Sequence, residues 1–315
     1  MSLTTPIAFL IFNRPDTTKR VFEAIRQARP PLLLVVADGP RPGRPGEAEL
    51  CNASRAIVER VDWPCRVLKN FSGENLGCKG RISSGLDWVF SEVEEAIILE
   101  DDCLPDASFF PFCQQLLERY RHDERVMMIG GTNYLLDRLK IPESYLFSRY
   151  FPIWGWATWR RAWEKYDISM KDWPRLKSDG QLQPLYSQGF MRNHVSRMFD
   201  AAYHERINTW DIQWFYSCLF NNGLSVIPQV NLISNIGLVG THTSDDTRNN
   251  FFPVFPMNTE QLRHPELVSA NFSYDGEFFQ SKLKTGAMDI LRKAFSATRK
   301  RIKKARLWLY RSHSV

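Results

Sequence analysis

The 315-residue chain has six cysteines, and none of them stands in a Cys-x-x-Cys pair or at metal-finger spacing. A disulfide framework or zinc module is thereby excluded as the organising device. Cys51, Cys65, Cys78, Cys103, Cys113 and Cys218 are expected as reduced thiols. No apolar run approaches the ~20 residues that span a bilayer. Met1 leads within a few residues into an apolar strand, Ile7 to Phe12, without the basic region and apolar core of a signal peptide. A cytoplasmic location is expected, and the Asn-x-Ser triplets at Asn52, Asn70 and Asn271 then carry no glycan. No internal repeat is present. Glycine-rich phosphate loops are missing too: the first strand ends in Phe12-Asn13-Arg14-Pro15. That turn excludes a dinucleotide fingerprint and a P-loop, and it counts against a nucleotidyltransferase.

The body of the chain also lacks a basic excess. Residues 288 to 315 hold nine Lys or Arg against one acid, Asp289, whereas residues 1 to 287 hold 32 basic and 34 acidic groups. A nucleic-acid partner for the whole body is not supported by that balance. What is present is a core: 43% of residues are apolar and 13% aromatic, with ten Trp. The chain is a folded one.

The sequence is organised around Ala96-Ile97-Ile98-Leu99-Glu100-Asp101-Asp102-Cys103-Leu104-Pro105-Asp106. An apolar strand runs straight into three carboxylates. Alternation along a strand places Glu100 and Asp102 on one side and Asp101 on the other. Acids crowded at the end of a buried strand repel one another and resist desolvation, and a hard dication, Mn²⁺ or Mg²⁺, relieves both. In open α/β sheets ligands sit beyond the carboxyl ends of strands. A plainer use of the motif is to start the next helix, with Asp106 as its N-cap.

The order of elements sets the fold class. Ile7 to Phe12 is followed by a helix to about Ala28 with Asp16 as N-cap. Leu32 to Ala37 is a second unbroken apolar strand ending in Asp38-Gly39, and a helix follows over Glu47 to Val61. A short strand, Arg66 to Leu68, precedes Asn75-Leu76-Gly77-Cys78-Lys79-Gly80-Arg81 and a helix from about Ile82 to Glu94. Continuous apolar strands alternating with helices predict a doubly wound α/β sheet. Beyond Gly131 aromatics crowd into Tyr150 to Trp159 and Trp210 to Tyr216. Leu224 to Ile236 reads as a strand pair broken at Pro228, and Thr241 to Thr247 as a polar loop. The expected division is 1–130, 131–255 and a C-terminal extension, 256–315.

These residues, taken in order, resemble a GT-A-type glycosyltransferase, and within that fold the inverting N-acetylglucosaminyltransferase I group. The series is Asn13-Arg14-Pro15, Asp38-Gly39, Ile98-Leu99-Glu100-Asp101-Asp102 with Pro105-Asp106-Ala107-Ser108-Phe109-Phe110, Phe151-Pro152-Ile153-Trp154-Gly155-Trp156, Trp210-Asp211 and His242. It covers about residues 6 to 250. The resemblance implies a GT-A-like doubly wound mixed sheet, with a nucleotide-sugar half and an aromatic-rich acceptor half. It implies that Asp102 binds Mn²⁺ or Mg²⁺, with Glu100 and Asp101 at the ribose and the metal's water shell. Asn13, Arg14 and Asp38 would lie at the base of a UDP-sugar, Lys79 or Arg81 at its diphosphate, and His242 near the metal. Asp211 would be the catalytic base, and the acceptor a glycan or a lipid-linked sugar.

Several of these residues have a second use. Asp211 also reads as the N-cap of a helix from Ile212 to Phe220, although burial between Trp210 and Trp214 would suit a base. Trp154 and Trp156 flank a glycine and could floor an acceptor ring, whereas Trp159 reads as core. Lys79 and Arg81 read as solvated or, between Gly77 and Gly80, as phosphate-facing. His242 alone reads as a loop hydrogen-bonder. In the tail, Leu291, Phe295, Thr298, Ile302, Ala305 and Leu309 form one helical face among basic residues. Such a helix suits an anionic membrane surface, a dock on the body, or RNA.

Overall fold

Ile7–Ile11 (β1) is apolar at every position because it is buried on both faces, and Leu32–Ala37 (β2) is so at all but its first residue. The computed structural model describes residues 2–136, 139, 141–237 and 253–281. Two units are distinguished, Met1–Asn271 and Phe272–Val315, and the described part of the second is helical over 272–281.

In the first unit the chain passes from β1 through Pro15–Ala28 (α1) to β2, then Glu47–Val58 (α2), Arg66–Phe71 (β3) and Gly77–Glu92 (α3). Glu95–Glu100 (β4), Cys103–Pro105 (β5), Phe109–Tyr120 (α4), Val126–Gly130 (β6), Tyr145–Ser148 (β7) and Trp156–Trp159 (β8) follow. Three short helices or turns of helix come next: Arg160–Trp163 (α5), Trp173–Ser178 (α6) and the longer Gly189–Tyr203 (α7). Asp211–Phe220 (α8), Leu224–Pro228 (β9) and Ile233–Asn235 (β10) complete it.

Eight strands make one sheet in the order β3-β2-β1-β4-β8-β6-β9-β7, and β10 pairs with β5 in a separate ribbon. The first four strands are parallel; β8 runs antiparallel between β4 and β6. Helices cover both faces. Phe9, Val35, Leu99, Ala157 and Trp159 pack in one core with Val21, Phe22 and Ile25 of α1 and Phe112 and Leu116 of α4. The i, i+3, i+4, i+7 spacing of Thr18, Val21, Phe22 and Ile25 is what turns that stripe of α1 inward. On the opposite face α3 lies against β2, with Gly85 over Val36 so closely that a Cβ would stand 2.5 Å from Val36 Cγ1. The architecture is the mixed, doubly wound α/β sheet expected, and one sheet runs through both 1–130 and 131–255.

Local differences have local causes. α3 starts at Gly77, five residues before Ile82, because Gly77 takes a left-handed φ of +72° and the helix winds directly from it. Asp16 lies within the first turn of α1, whose N-cap is Arg14, with Pro15 at the next position. Asp106 does not cap α4 as its N-cap residue; its Oδ1 accepts Ser108 N at 2.9 Å and Ser108 Oγ at 2.5 Å, one turn ahead of the helix. The break at Pro228 falls where expected, between β9 and β10.

Candidate active site

β4 delivers the acids. Its register, Leu10 beside Glu100 on β1 and Ile98 beside Trp156 on β8, puts Glu100 on the α3 face of the sheet with Trp156. The strand ends at Glu100, and Asp101 and Asp102 lie in the turn that follows. Strand alternation therefore stops two residues short of Asp102, its expected reach. Both aspartates are held by one guanidinium: Arg14 Nη1 donates to Asp102 Oδ2 at 2.7 Å, and Nη2 donates to Asp101 Oδ1. Asp101 Oδ2 also accepts Phe12 N at 3.1 Å.

Electrostatics follow from that crowding. Burial raises the Glu100 carboxyl above its ordinary range, and the charges of Asp102, Asp101 and Asp211 add to the effect while Arg14 opposes it. Burial also pushes Asp101 up to about 6, against the pull of Arg14. On Arg14 desolvation pulls downward, but the paired aspartates outweigh it and hold the guanidinium above its ordinary value.

Asp211 is the first residue of α8, whose N-cap is Trp210. Its Oδ1 accepts the Thr209 hydroxyl, and among the described residues its carboxylate takes no backbone N–H. It is thus not an N-cap in this structure. Its charge reaches Glu100, Cys78, Tyr150 and Tyr166. Burial, with Glu100, Asp211 and Asp38 behind it, pushes the Cys78 thiol up to about 12, and burial raises both phenols. Glu100 and Asp211 accordingly share one face of the sheet, roofed by the start of α3.

Asp38 directly follows β2 and is buried, with its carboxylate saturated. Oδ1 accepts Gly39 N and Leu76 N, each at 2.9 Å; Oδ2 accepts Gly77 N at 3.1 Å and Asn75 Nδ2 at 3.0 Å. Asn13 donates to Glu47 Oε1 at 2.9 Å, and Glu47 is clamped by Arg41, which pulls its carboxyl down to about 2. Arg81 is buried with its guanidinium on Ala37 O at 3.1 Å and Asn70 Oδ1 at 2.7 Å, beneath the sheet end. Lys79 Nζ pairs with Glu205 at 3.4 Å, and Lys79 N donates to Asn208 Oδ1 at 3.2 Å. That joins the first turn of α3 to the loop before Asp211.

Of the two tryptophans, Trp154 is partly buried, 5.3 Å from the ring of Tyr134, and only it keeps surface. Trp156 is wholly enclosed, stacked on Trp210 at 5.7 Å and tilted against Trp214, and its indole N–H meets no partner among the described residues. Trp159 is core, with Arg161 over its ring at 4.3 Å. His242 and the basic tail lie outside the described residues.

The structure brings in residues that spacing gave no sign of: Cys78, Thr209, Tyr166 and Gly237. Gly237 approaches so closely that a Cβ would stand 2.4 Å from Asp102 Oδ2. For a dication, the residues fit in part. Asp102 Oδ1 meets only Cys103 Sγ at 3.5 Å, and the Glu100 carboxylate has no hydrogen bond among the described residues. Hard oxygen donors are therefore open beside a paired one. No group of three His, Cys, Asp or Glu side chains able to enclose a metal is found among the described residues. None of the helices described is long and apolar enough to cross a membrane.

No family model matches the chain. No curated protein sequence matches it. Among solved structures, the chain is similar to 4-diphosphocytidyl-2C-methyl-D-erythritol synthase from Anaerococcus prevotii, at 10% identity and a TM-score of 0.30, over 51% of this chain and 76% of that one. It is likewise similar to a UDP-glucose pyrophosphorylase in complex with UDP-glucose, at 10% identity and a TM-score of 0.29, over 52% of this chain and 79% of that one. At such scores no residue or activity passes from them to this chain.

Proposed function

We propose that this chain is a metal-dependent transferase that moves a sugar, with inversion, from a nucleotide diphosphate donor to a hydroxyl of a glycan or lipid-linked acceptor. The observation that carries the reading is that the charge of Asp211 reaches Glu100, the last residue of β4, together with the charges of Asp101 and Asp102. Asp102 Oδ1 and Glu100 would hold Mn²⁺ or Mg²⁺. Bound there, such an ion supplies charge that offsets the diphosphate as it leaves. Asp211 takes the proton from the acceptor hydroxyl as its oxygen attacks the anomeric carbon and the bond to the diphosphate breaks. Its single described partner, the Thr209 hydroxyl, orients the carboxylate and leaves the second oxygen for that proton. Trp154, the partly buried member of its pair, is the side chain offered to an acceptor ring. A UDP-sugar is the favoured donor, and His242 the further ligand.

The tail extends the reading. Nine basic residues against one acid over 288–315 suit a peripheral hold on an anionic membrane surface, worth about 1 kcal/mol per basic group near it.

The test is donor turnover with Mn²⁺ across UDP-, GDP-, CMP- and dTDP-sugars. Release of nucleoside diphosphate, dependent on Asp211, supports sugar transfer. Pyrophosphate formed from a nucleoside triphosphate and a sugar phosphate would assign nucleotidyl transfer instead. Donor binding without turnover would make the chain a silent scaffold.

A further inference from the structure

Arg14 follows the first strand, and its side chain turns back onto the end of β4 rather than outward to a base. Its guanidinium forks across two carboxylates, although its own side chain is 31% exposed and those of Asp101 and Asp102 are 2% and 14% exposed. The backbone closes the pair from the other side. Ile236 N donates to Asp102 O at 2.8 Å. Gly237 is seated so tightly that a Cβ would lie 2.8 Å from Arg14 Nη1 as well as 2.4 Å from Asp102 Oδ2. One oxygen of Asp102 is thus committed to Arg14 and the other is not.

We infer that Arg14 is an internal counter-cation that sets how tightly the acidic motif binds a dication. The inference rests on the metal-dependent reading above and adds the residue that tunes it. Glu100 ends the strand and Asp101 and Asp102 follow it, and Arg14 offsets one of their charges from Asp102 Oδ2, beside the Oδ1 that the ion would use. Through-space repulsion between guanidinium and dication weakens binding without abolishing it, because the triad keeps a net negative charge. Without Arg14, Asp102 offers both oxygens and the triad its full charge. The apoprotein then carries Asp101 buried and unpaired, a strongly destabilising state. A purely structural arginine would lower stability but leave ion affinity unchanged or reduced. An arginine that contacts the base would alter nucleotide affinity alone.

The full chain and its Arg14→Ala, Arg14→Gln and Arg14→Lys variants are titrated with Mn²⁺ alone, free ion being read by electron paramagnetic resonance. Each is also melted with and without Mn²⁺. The Kd for Mn²⁺ is expected to tighten about tenfold in Arg14→Ala or Arg14→Gln and less in Arg14→Lys, from the order of screened charge interactions. The rise in Tm on adding Mn²⁺ is expected to be larger in the neutral variants than in the parent. Equal or weaker Mn²⁺ binding by a folded neutral variant overturns the inference, with Arg14→Gln deciding if Arg14→Ala does not fold. Should the parent bind Mn²⁺ through Asp102, shown by its loss in Asp102→Ala, only the role of Arg14 has failed. Absence of Mn²⁺ binding in parent and variants alike overturns the metal reading and this inference together.

Discussion

Asp38→Asn separates a residue that builds the site from one that touches a ligand. A carboxylate offers about four lone-pair positions. All four are taken here, by three backbone N–H groups and the Asn75 amide. Asparagine keeps one oxygen and so retains Gly39 N and Leu76 N. Its amide nitrogen then faces the Gly77 N–H and the Asn75 amide, donor against donor. Asn75 Nδ2 keeps its second acceptor, Gly39 O at 2.9 Å, so the Gly77 N–H is the donor left unsatisfied, at about 1–3 kcal/mol. One effect works the other way: burial is the largest influence on Asp38 and raises its carboxyl, so a neutral side chain escapes part of that desolvation. Arg81, whose charge Asp38 offsets, loses that partner and moves the balance back. The lower half of the range, about 1–2 kcal/mol, is therefore expected, or a fall in Tm of roughly 2–5 °C.

Urea unfolding at neutral pH measures it, with Asp38→Ala as the reference that strips all four donors and must cost more. Because no lone pair is spare, nucleotide affinity should fall only through the displaced start of α3. Wild-type stability in Asp38→Asn together with a lost base preference would refute this reasoning and give the carboxylate to the ligand.

Gly237→Ala forces a Cβ against Asp102 and Arg14, and overpacking of this kind costs about 1–3 kcal/mol; a variant with parental Tm and parental Mn²⁺ affinity would show that the contact is slack. Asp211→Asn should lose roughly 10²–10⁴-fold in turnover while donor affinity and Tm hold, because the carboxylate caps no helix; unchanged turnover in a destabilised protein would refute its role as base. His264 accepts from, or donates to, the Tyr145 hydroxyl at 2.9 Å, and desolvation, then Arg119, lowers its pKa from the ordinary 6.5. The unfolded chain therefore takes that proton first. Its stabilising share is complete above the ordinary value and is lost as pH falls through it, only weakly because the ring is exposed. An NMR titration of His264 with a midpoint at or above the ordinary value would contradict this.

Legibility in the sequence tracks burial on both faces. β1, β2 and β4 are visible as apolar runs because each is covered above and below. β6, β7 and β8 are four or five residues long and pass as aromatic or apolar clutter, so the sheet's second half and its antiparallel strands, β7 and β8, could not be read. The acids at 100–102 were legible because three charges directly after a buried strand are locally expensive. Their partner was not. Arg14 meets Asp101 and Asp102 only because β1 and β4 are neighbours in register, and no spacing within residues 14 to 102 encodes that. Gly77 and Gly80 made the start of α3 look like loop, and with it Arg81 looked accessible. In the fold Gly77 supplies one left-handed turn, and Arg81 is drawn inward by carbonyls of Ala37 and Asn70.

The site falls at the end of β4 because the sheet changes direction there. β1 runs parallel to β4 on one side and β8 antiparallel on the other, which is where an open sheet leaves a crevice. Since β8 runs back, its entry turn meets the exit of β4, and Gly155 at φ +57° makes that meeting possible: a Cβ would stand 2.4 Å from Ile233 Cδ1. The ribbon of β5 with β10, Cys103 opposite Asn235, then returns the chain over Asp102 and delivers Gly237. The strand's last residue and the turn after it divide the labour. Glu100 lies on the α3 face, where burial lifts its carboxyl and the Cys78 thiol and the charge of Asp211 adds to both. Asp101 and Asp102 turn to Arg14, a setting of fixed charge. The end of β4 thus carries a buried carboxyl and, just beyond it, a carboxylate pair fixed on Arg14; under the proposed function, substitutions at 100 and at 102 should both weaken Mn²⁺ binding.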